Sequence, residues 1–256
     1  MIRSNQTPSG EKAKAVAEVM DLEERHGSMP RAALAADLLI RGANVPEALK
    51  ANAYALKARI AASAKRYSEV QAIEGQLSAL GSSPETQEAV GEARYLVAAS
   101  LGRSVQTRYF NLAVRDPQQL LTQRYEVYKQ VRGAYLKVCE AGATSFCAPA
   151  MVKLNQVSMG FVKAIEDIQI QDTLAKDVVA RFNATKQAIY NDAARTSERA
   201  DGKAQTALAE GNTDPYWTEA VLWQNSADWN FDRVSGETGN GYVQWSVSDV
   251  SAKVGE

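Results

Sequence analysis

A single histidine, His26, and two cysteines, Cys139 and Cys147, are all the nitrogen and sulfur ligands that the 256-residue chain can offer a transition metal. His-rich zinc sites and four-cysteine knuckles are excluded by that count. Any Ser-His-Asp or Cys-His triad would need His26, which follows Glu23-Glu24-Arg25 and precedes Gly27. This is the pattern of a helix end, where a histidine meets the carbonyl dipole, so capping is expected there. Neither a G-x-x-x-x-G-K-[ST] loop nor a G-x-G-x-x-G turn occurs. No apolar run approaches the roughly 18 residues that span a bilayer, and Met1–Thr7 lacks the apolar centre of a signal peptide. A cytosolic protein, or one whose export signal has been removed, is therefore expected. A surplus of either charge is also missing: 29 Lys+Arg stand against 30 Asp+Glu. That balance excludes a general nucleic-acid binder. Neighbouring carboxylates, Glu23-Glu24 and Glu166-Asp167, diverge on a helix and give no acid/base geometry. No catalytic residue, metal site or cofactor is expected.

Alanine is abundant: 42 residues, against 16 glycines and 7 prolines. It is the strongest helix former, and its small side chain lets helices approach closely. Pro30, Pro46, Pro84, Pro117, Pro149 and Pro215 each precede a helical pattern, while Gly27, Gly42, Gly81, Gly142 and Gly211 each follow one. Ser83-Pro84, Asp116-Pro117 and Asp214-Pro215 read as a cap and a first helical residue. Apolar stripes at helical spacing run through Leu121, Tyr125, Tyr128, Val131, Tyr135 and Val138. Others run through Leu154, Val157, Phe161, Ile165 and Ile168, and through Leu174, Val178, Phe182 and Ile189. Helices are predicted over 11–26, 30–42, 46–64, 67–80, 84–101, 104–115, 117–141, 149–171, 173–210 and 215–228. A break is expected near Asp201-Gly202. Residues 1–10 are expected to be disordered, 11–230 to form one helical-repeat domain, and 231–256 a flexible tail. Within that tail Tyr242–Val247 alternates like a short extended stretch.

Ala53–Ala58 resembles Arg94–Ala99, 41 residues later, a period that suits stacked helical hairpins. The block Tyr54-x3-Ala58, Tyr67-x2-Val70, Leu77 and Leu80, closing at Pro84, resembles a tetratricopeptide repeat. Glu74 and Val70 stand where that pattern usually has an aromatic residue and an alanine. The second half, with Tyr135–Cys139, Phe146–Ala150 and Gly211–Trp217, is similar to tetratricopeptide-type proteins of bacterial cell envelopes linked to gliding motility. The resemblance implies an all-α solenoid of antiparallel helical hairpins with an irregular tail. It also implies a periplasmic or outer-membrane-associated scaffold in a motility or transport complex, whose partners are other proteins or peptides. A cytoplasmic adaptor is the alternative if the cysteines are reduced.

Four sets of residues stand out. Cys139 and Cys147 bracket a turn, where a disulfide would staple two helices and mark an oxidising compartment. Asn52, Arg59 and Arg66 recur every seven residues and, on one helix face, would line a peptide-gripping groove; an ordinary solvated face is the plainer reading. All four tryptophans (Trp217, Trp223, Trp229 and Trp245) lie close together with Tyr242. They read either as a partner-binding surface or as a cap on the open end of the repeat. An envelope carbohydrate-binding protein or hydrolase using that cluster, with Glu219 as its acid, is the competing class.

Overall fold

The structure, a computed structural model, describes residues 9–110, 116–142, 145–166, 168–170 and 174–218. The described residues are helical and contain no strand. They form α1 (Ser9–Arg25), α2 (Met29–Arg41), α3 (Glu47–Ser63), α4 (Tyr67–Ser78), α5 (Pro84–Phe110), α6 (Pro117–Cys139), α7 (Cys147–Glu166) and α8 (Lys176–Ala209), followed by a helical turn at 215–218. No described helix is long and apolar enough to cross a membrane.

The punctuation marks seen in the sequence sit at the helix ends. Ser83 Oγ accepts the Thr86 amide at 3.3 Å, Asp116 Oδ1 the Gln119 amide at 2.6 Å, and Asp214 Oδ1 the Tyr216 amide at 2.9 Å. Each satisfies an amide that the first helical turn would leave without a partner. At the other ends, α1 and α8 close through Gly27 and Gly211 in the left-handed region. The amide after each glycine reaches back five residues, Ser28 to Glu23 and Asn212 to Ala207. His26 occupies the last position before that reversal and is exposed, the capping place expected of it.

The end of α3 uses the same reversal without a glycine. Lys65 carries φ 59°, and the Arg66 amide donates to the Ala61 carbonyl at 2.8 Å. An L-residue held there costs roughly 1–2 kcal/mol. Lys65→Gly is therefore expected to stabilise the protein by about 1 kcal/mol, after the greater unfolded-state freedom of glycine is deducted. A denaturant midpoint that rises with an unchanged slope is the readout.

Two predicted boundaries are corrected. Residues 84–101 and 104–115 were expected as separate helices, but α5 runs unbroken from Pro84 to Phe110. Gly102 lies inside it, where an added Cβ would come within 2.4 Å of the Tyr135 hydroxyl. This glycine is a point of close approach, not a stop. Gly102→Ala must displace the buried Tyr135 ring at a cost of about 1–3 kcal/mol, outweighing the gain in helix propensity of about 1 kcal/mol. Gly160→Ala, where a Cβ meets nothing within 4 Å, is expected to keep that gain. Thermal melts of the two variants should thus move in opposite directions. The second correction is α8, which continues through Asp201-Gly202; Asp201 is buried and accepts a hydrogen bond from Gln205 at 2.6 Å.

The described residues fall into two compact units, one within 1–105 and 129–150, the other within 106–128 and 151–256. The first is organised around α3. One side of this helix, Ala51, Ala55, Ala58 and Ala61, packs with Val70, Ile73 and Leu77 of α4 and Ala89, Val90 and Ala93 of α5. Its other side, Ala53 and Leu56, packs with Ala13 and Met20 of α1 and Ala32, Ala35, Ala36 and Leu39 of α2. Methyl-sized side chains on both sides allow helices to close on α3 from two directions.

The second unit is built on larger residues. Tyr128 stacks on Phe161 with ring centroids 4.3 Å apart and planes 7° from parallel, and its hydroxyl bonds Ser158 Oγ at 2.9 Å. Tyr125 donates to Asp192 at 2.9 Å and Ser197 to Asn155 at 3.1 Å. The C-terminal carbonyls of α7 are held by cations: Lys186 reaches Glu166 O at 2.9 Å, and Arg124 donates to Ala164 O. The predicted stripe on α8 holds at Phe182 and Ile189. It fails at Leu174, which precedes the first helical residue Lys176, and at Val178 in the first turn; they are 44% and 36% exposed.

Candidate functional site

The first unit carries an open groove of about 320 Å³ across α2, α3 and α4. Tyr54 and Lys57, one helical turn apart, form its floor. Asp37, Ile40 and Arg41 make one wall, and Glu69, Ile73 and Gln76 line the other. Lys57 Nζ and Asp37 Oδ1 are 2.6 Å apart, with both side chains about one-third exposed. The groove thus combines apolar side chains with a paired cation and anion, a single arginine, and a tyrosine hydroxyl.

The seven-residue series predicted to grip a peptide is divided by the fold. Asn52 is exposed on α3. Arg59 is engaged within the fold: Nε and Nη2 donate to Glu24 of α1, each at 3.0 Å, and Nη1 donates to Glu92 of α5 at 2.9 Å. Burial opposes the Arg59 charge and the two carboxylates outweigh it, so its pKa stands above the ordinary value. Burial pushes Glu92 above the ordinary carboxylate range, with Arg59 pulling it back. Arg66 is not on α3 at all. The left-handed turn at Lys65 ends that helix, and Arg66 becomes the residue preceding α4, where it pairs with Glu69 at 2.7 Å. The three residues therefore share no helix face, and only Arg66 approaches the groove, through Glu69.

A second carboxylate joins helix starts. Glu47, the first residue of α3, accepts from the Thr86 hydroxyl at 2.8 Å and the Ser83 amide at 3.3 Å at the start of α5. These donors, the Thr86 hydroxyl first, hold its pKa below the ordinary value. Whatever stability they contribute is present at neutral pH and lost as pH falls through the lowered pKa.

Cys139 and Cys147 lie at disulfide distance, their Cα atoms 4.7 Å apart, across the turn between α6 and α7. The turn rests on α5: Ser145 donates its amide to Glu88 at 3.0 Å, and Phe146 packs on Tyr95 with centroids 5.8 Å apart. Trp217, expected on a partner-binding or capping surface, is 6% exposed, which places its ring inside the fold and not on an open recognition face. Trp223, Trp229, Tyr242, Trp245 and Glu219 lie outside the described residues, as do the predicted extended stretch and the tail beyond 231. Among the described residues no cluster of three or more His, Cys, Asp or Glu could hold a metal ion.

The groove was not legible in advance, because its lining comes from three helices at no regular spacing. Lys57 and Tyr54 had a weak signal, a polar pair three apart on an otherwise alanine-rich helix. Comparison of the chain with protein-family models, with curated proteins and with solved structures found no match.

Proposed function

We propose that the protein is a non-enzymatic adaptor that holds a segment of another protein in the groove floored by Tyr54 and Lys57. The observation that carries this reading is the groove itself, open to solvent and lined by both apolar and charged side chains. The helices are read as stacked two-helix repeats of tetratricopeptide type. Two features support that: Glu47 ties the beginnings of α3 and α5 together, and Ala58, Val70 and Leu77 of the repeat-like block share one buried cluster. A cell-envelope location, in a motility or transport complex, is the companion proposal. A cysteine pair at bonding distance suits an oxidising compartment.

The test is selection of displayed random peptides on the wild-type protein, followed by affinity measurements on Lys57→Gln/Gln76→Ala. Neither position belongs to the buried cluster of α3, so circular dichroism should show an unchanged fold. A recurring peptide motif whose affinity drops about tenfold in the variant supports the groove. No recurring motif, or equal binding by both proteins, overturns it.

A further inference from the structure

The second helix has an inner and an outer apolar side. Ala32, Ala35, Ala36 and Leu39 face the core, each no more than 6% exposed. Leu34 and Leu38, on the outer side, are 65% and 64% exposed, the highest values among the exposed large hydrophobic residues. They stand one turn apart between two arginines at spacings of 3, 4 and 3, so Arg31, Leu34, Leu38 and Arg41 form one outward stripe. Arg31 is 75% exposed and only loosely paired, with Glu23 at 3.6 Å. Arg41 is exposed and has no ion pair among the described residues. A helix with apolar residues on both sides suits a place between two partners, and among the described residues only the inner one is present.

We infer that this stripe docks an acidic amphipathic helix of another protein, two apolar side chains resting on Leu34 and Leu38 and a carboxylate meeting each arginine. The arginines are ten residues apart, about 15 Å along the helix, which fixes the spacing of the carboxylates required. A second copy of the chain fits poorly, since pairing the stripe with itself in either direction sets arginine against arginine. Two leucines with an arginine at each end match the apolar strip and flanking carboxylates of one helix, and an anionic lipid surface is kept as an outcome of the experiment. Arg41 also stands in the groove wall, but Arg31, Leu34 and Leu38 do not, so this inference does not rest on the groove being occupied.

The experiment follows the Leu34 and Leu38 methyl resonances while the full-length protein is titrated with a synthetic helical peptide. The peptide carries Glu, Leu, Leu and Glu at the same spacing; a second peptide has both Glu replaced by Lys. The expected result is a saturable shift of both methyls with the acidic peptide and binding about tenfold weaker with the basic one. Arg31→Glu/Arg41→Glu should reverse that preference, and Leu34→Ser/Leu38→Ser should weaken binding on the order of 100-fold. Since all four side chains are exposed, the variants should keep the wild-type melting curve. Lys57→Gln/Gln76→Ala should bind the acidic peptide normally, which separates this surface from the groove. The inference is overturned by absent methyl shifts or by equal binding of the two peptides. It is also overturned if the methyls respond instead to protein concentration alone, or to phosphatidylglycerol vesicles.

Discussion

Replacing Arg59 by alanine is expected to destabilise the protein by about 2–3 kcal/mol, below the usual cost of breaking a buried ion pair because the guanidinium is partly exposed. The loss has a specific origin. Arg59 is the cation between Glu24 of α1 and Glu92 of α5, and without it two carboxylates face each other across α3. Glu92, only 14% exposed at its side chain, bears most of the penalty. The pH dependence carries the diagnosis. Burial already raises the Glu92 pKa, and removal of Arg59 takes away the charge that lowers it. The folded state then binds a proton more readily than the unfolded state, so the variant regains stability as pH falls toward and through the ordinary carboxylate range. Urea titrations at neutral and mildly acidic pH should show the gap to wild type narrowing. Arg59→Ala/Glu92→Gln should recover at least about 1 kcal/mol at neutral pH, as a neutral amide no longer repels Glu24. A gap independent of pH, with no recovery in the double variant, would assign the loss to side-chain packing.

Reduction of the Cys139–Cys147 bond, or its replacement in Cys139→Ala/Cys147→Ala, is expected to cost about 2.5 kcal/mol on the chain-entropy estimate for so short a loop. The loop it closes anchors Ser145 on Glu88 and Phe146 on Tyr95. The local consequence should therefore be faster amide exchange at the end of α6 and the start of α7, with α1 to α4 unchanged. Thiol titration of the denatured protein, with and without reductant, counts the bond directly. Two free thiols in protein prepared without reductant would remove the argument for an oxidising compartment.

The helical class was readable from alanine content and proline placement because both act locally. A proline fixes its own φ, and a cap needs only its own oxygen and an amide two or three residues on. The caps Ser83, Asp116 and Asp214 and the glycine reversals were accordingly found in the sequence. The stop at 65–66 was readable, but not the left-handed φ of Lys65, which is imposed by the turn into α4 while its side chain signals nothing. The seven-residue series was nonetheless read across that boundary, which misplaced Arg66. The break expected between 101 and 104 is absent: α5 continues through Gly102, whose close approach to the distant Tyr135 left no local signal. Arg59 looked like a surface residue because its partners, Glu24 and Glu92, are 35 and 33 residues away in the chain. The outer leucines of α2 could be counted as apolar but not recognised as uncovered until the inner side of the helix was known.

The alanine seam of α3 has a mechanical consequence. Methyl groups make shallow ridges, so beyond Leu56 they set the register of the helix along its neighbours only weakly. Polar pins add to it, Lys57 to Asp37, Arg59 to Glu24 and Glu92, and Glu47 to Ser83 and Thr86. At 1 M salt the screening length is about 3 Å, short enough to weaken the pins that reach solvent. The first unit should then behave as a bearing with loosened bolts, sliding by fractions of a turn while its greasy interior stays dry.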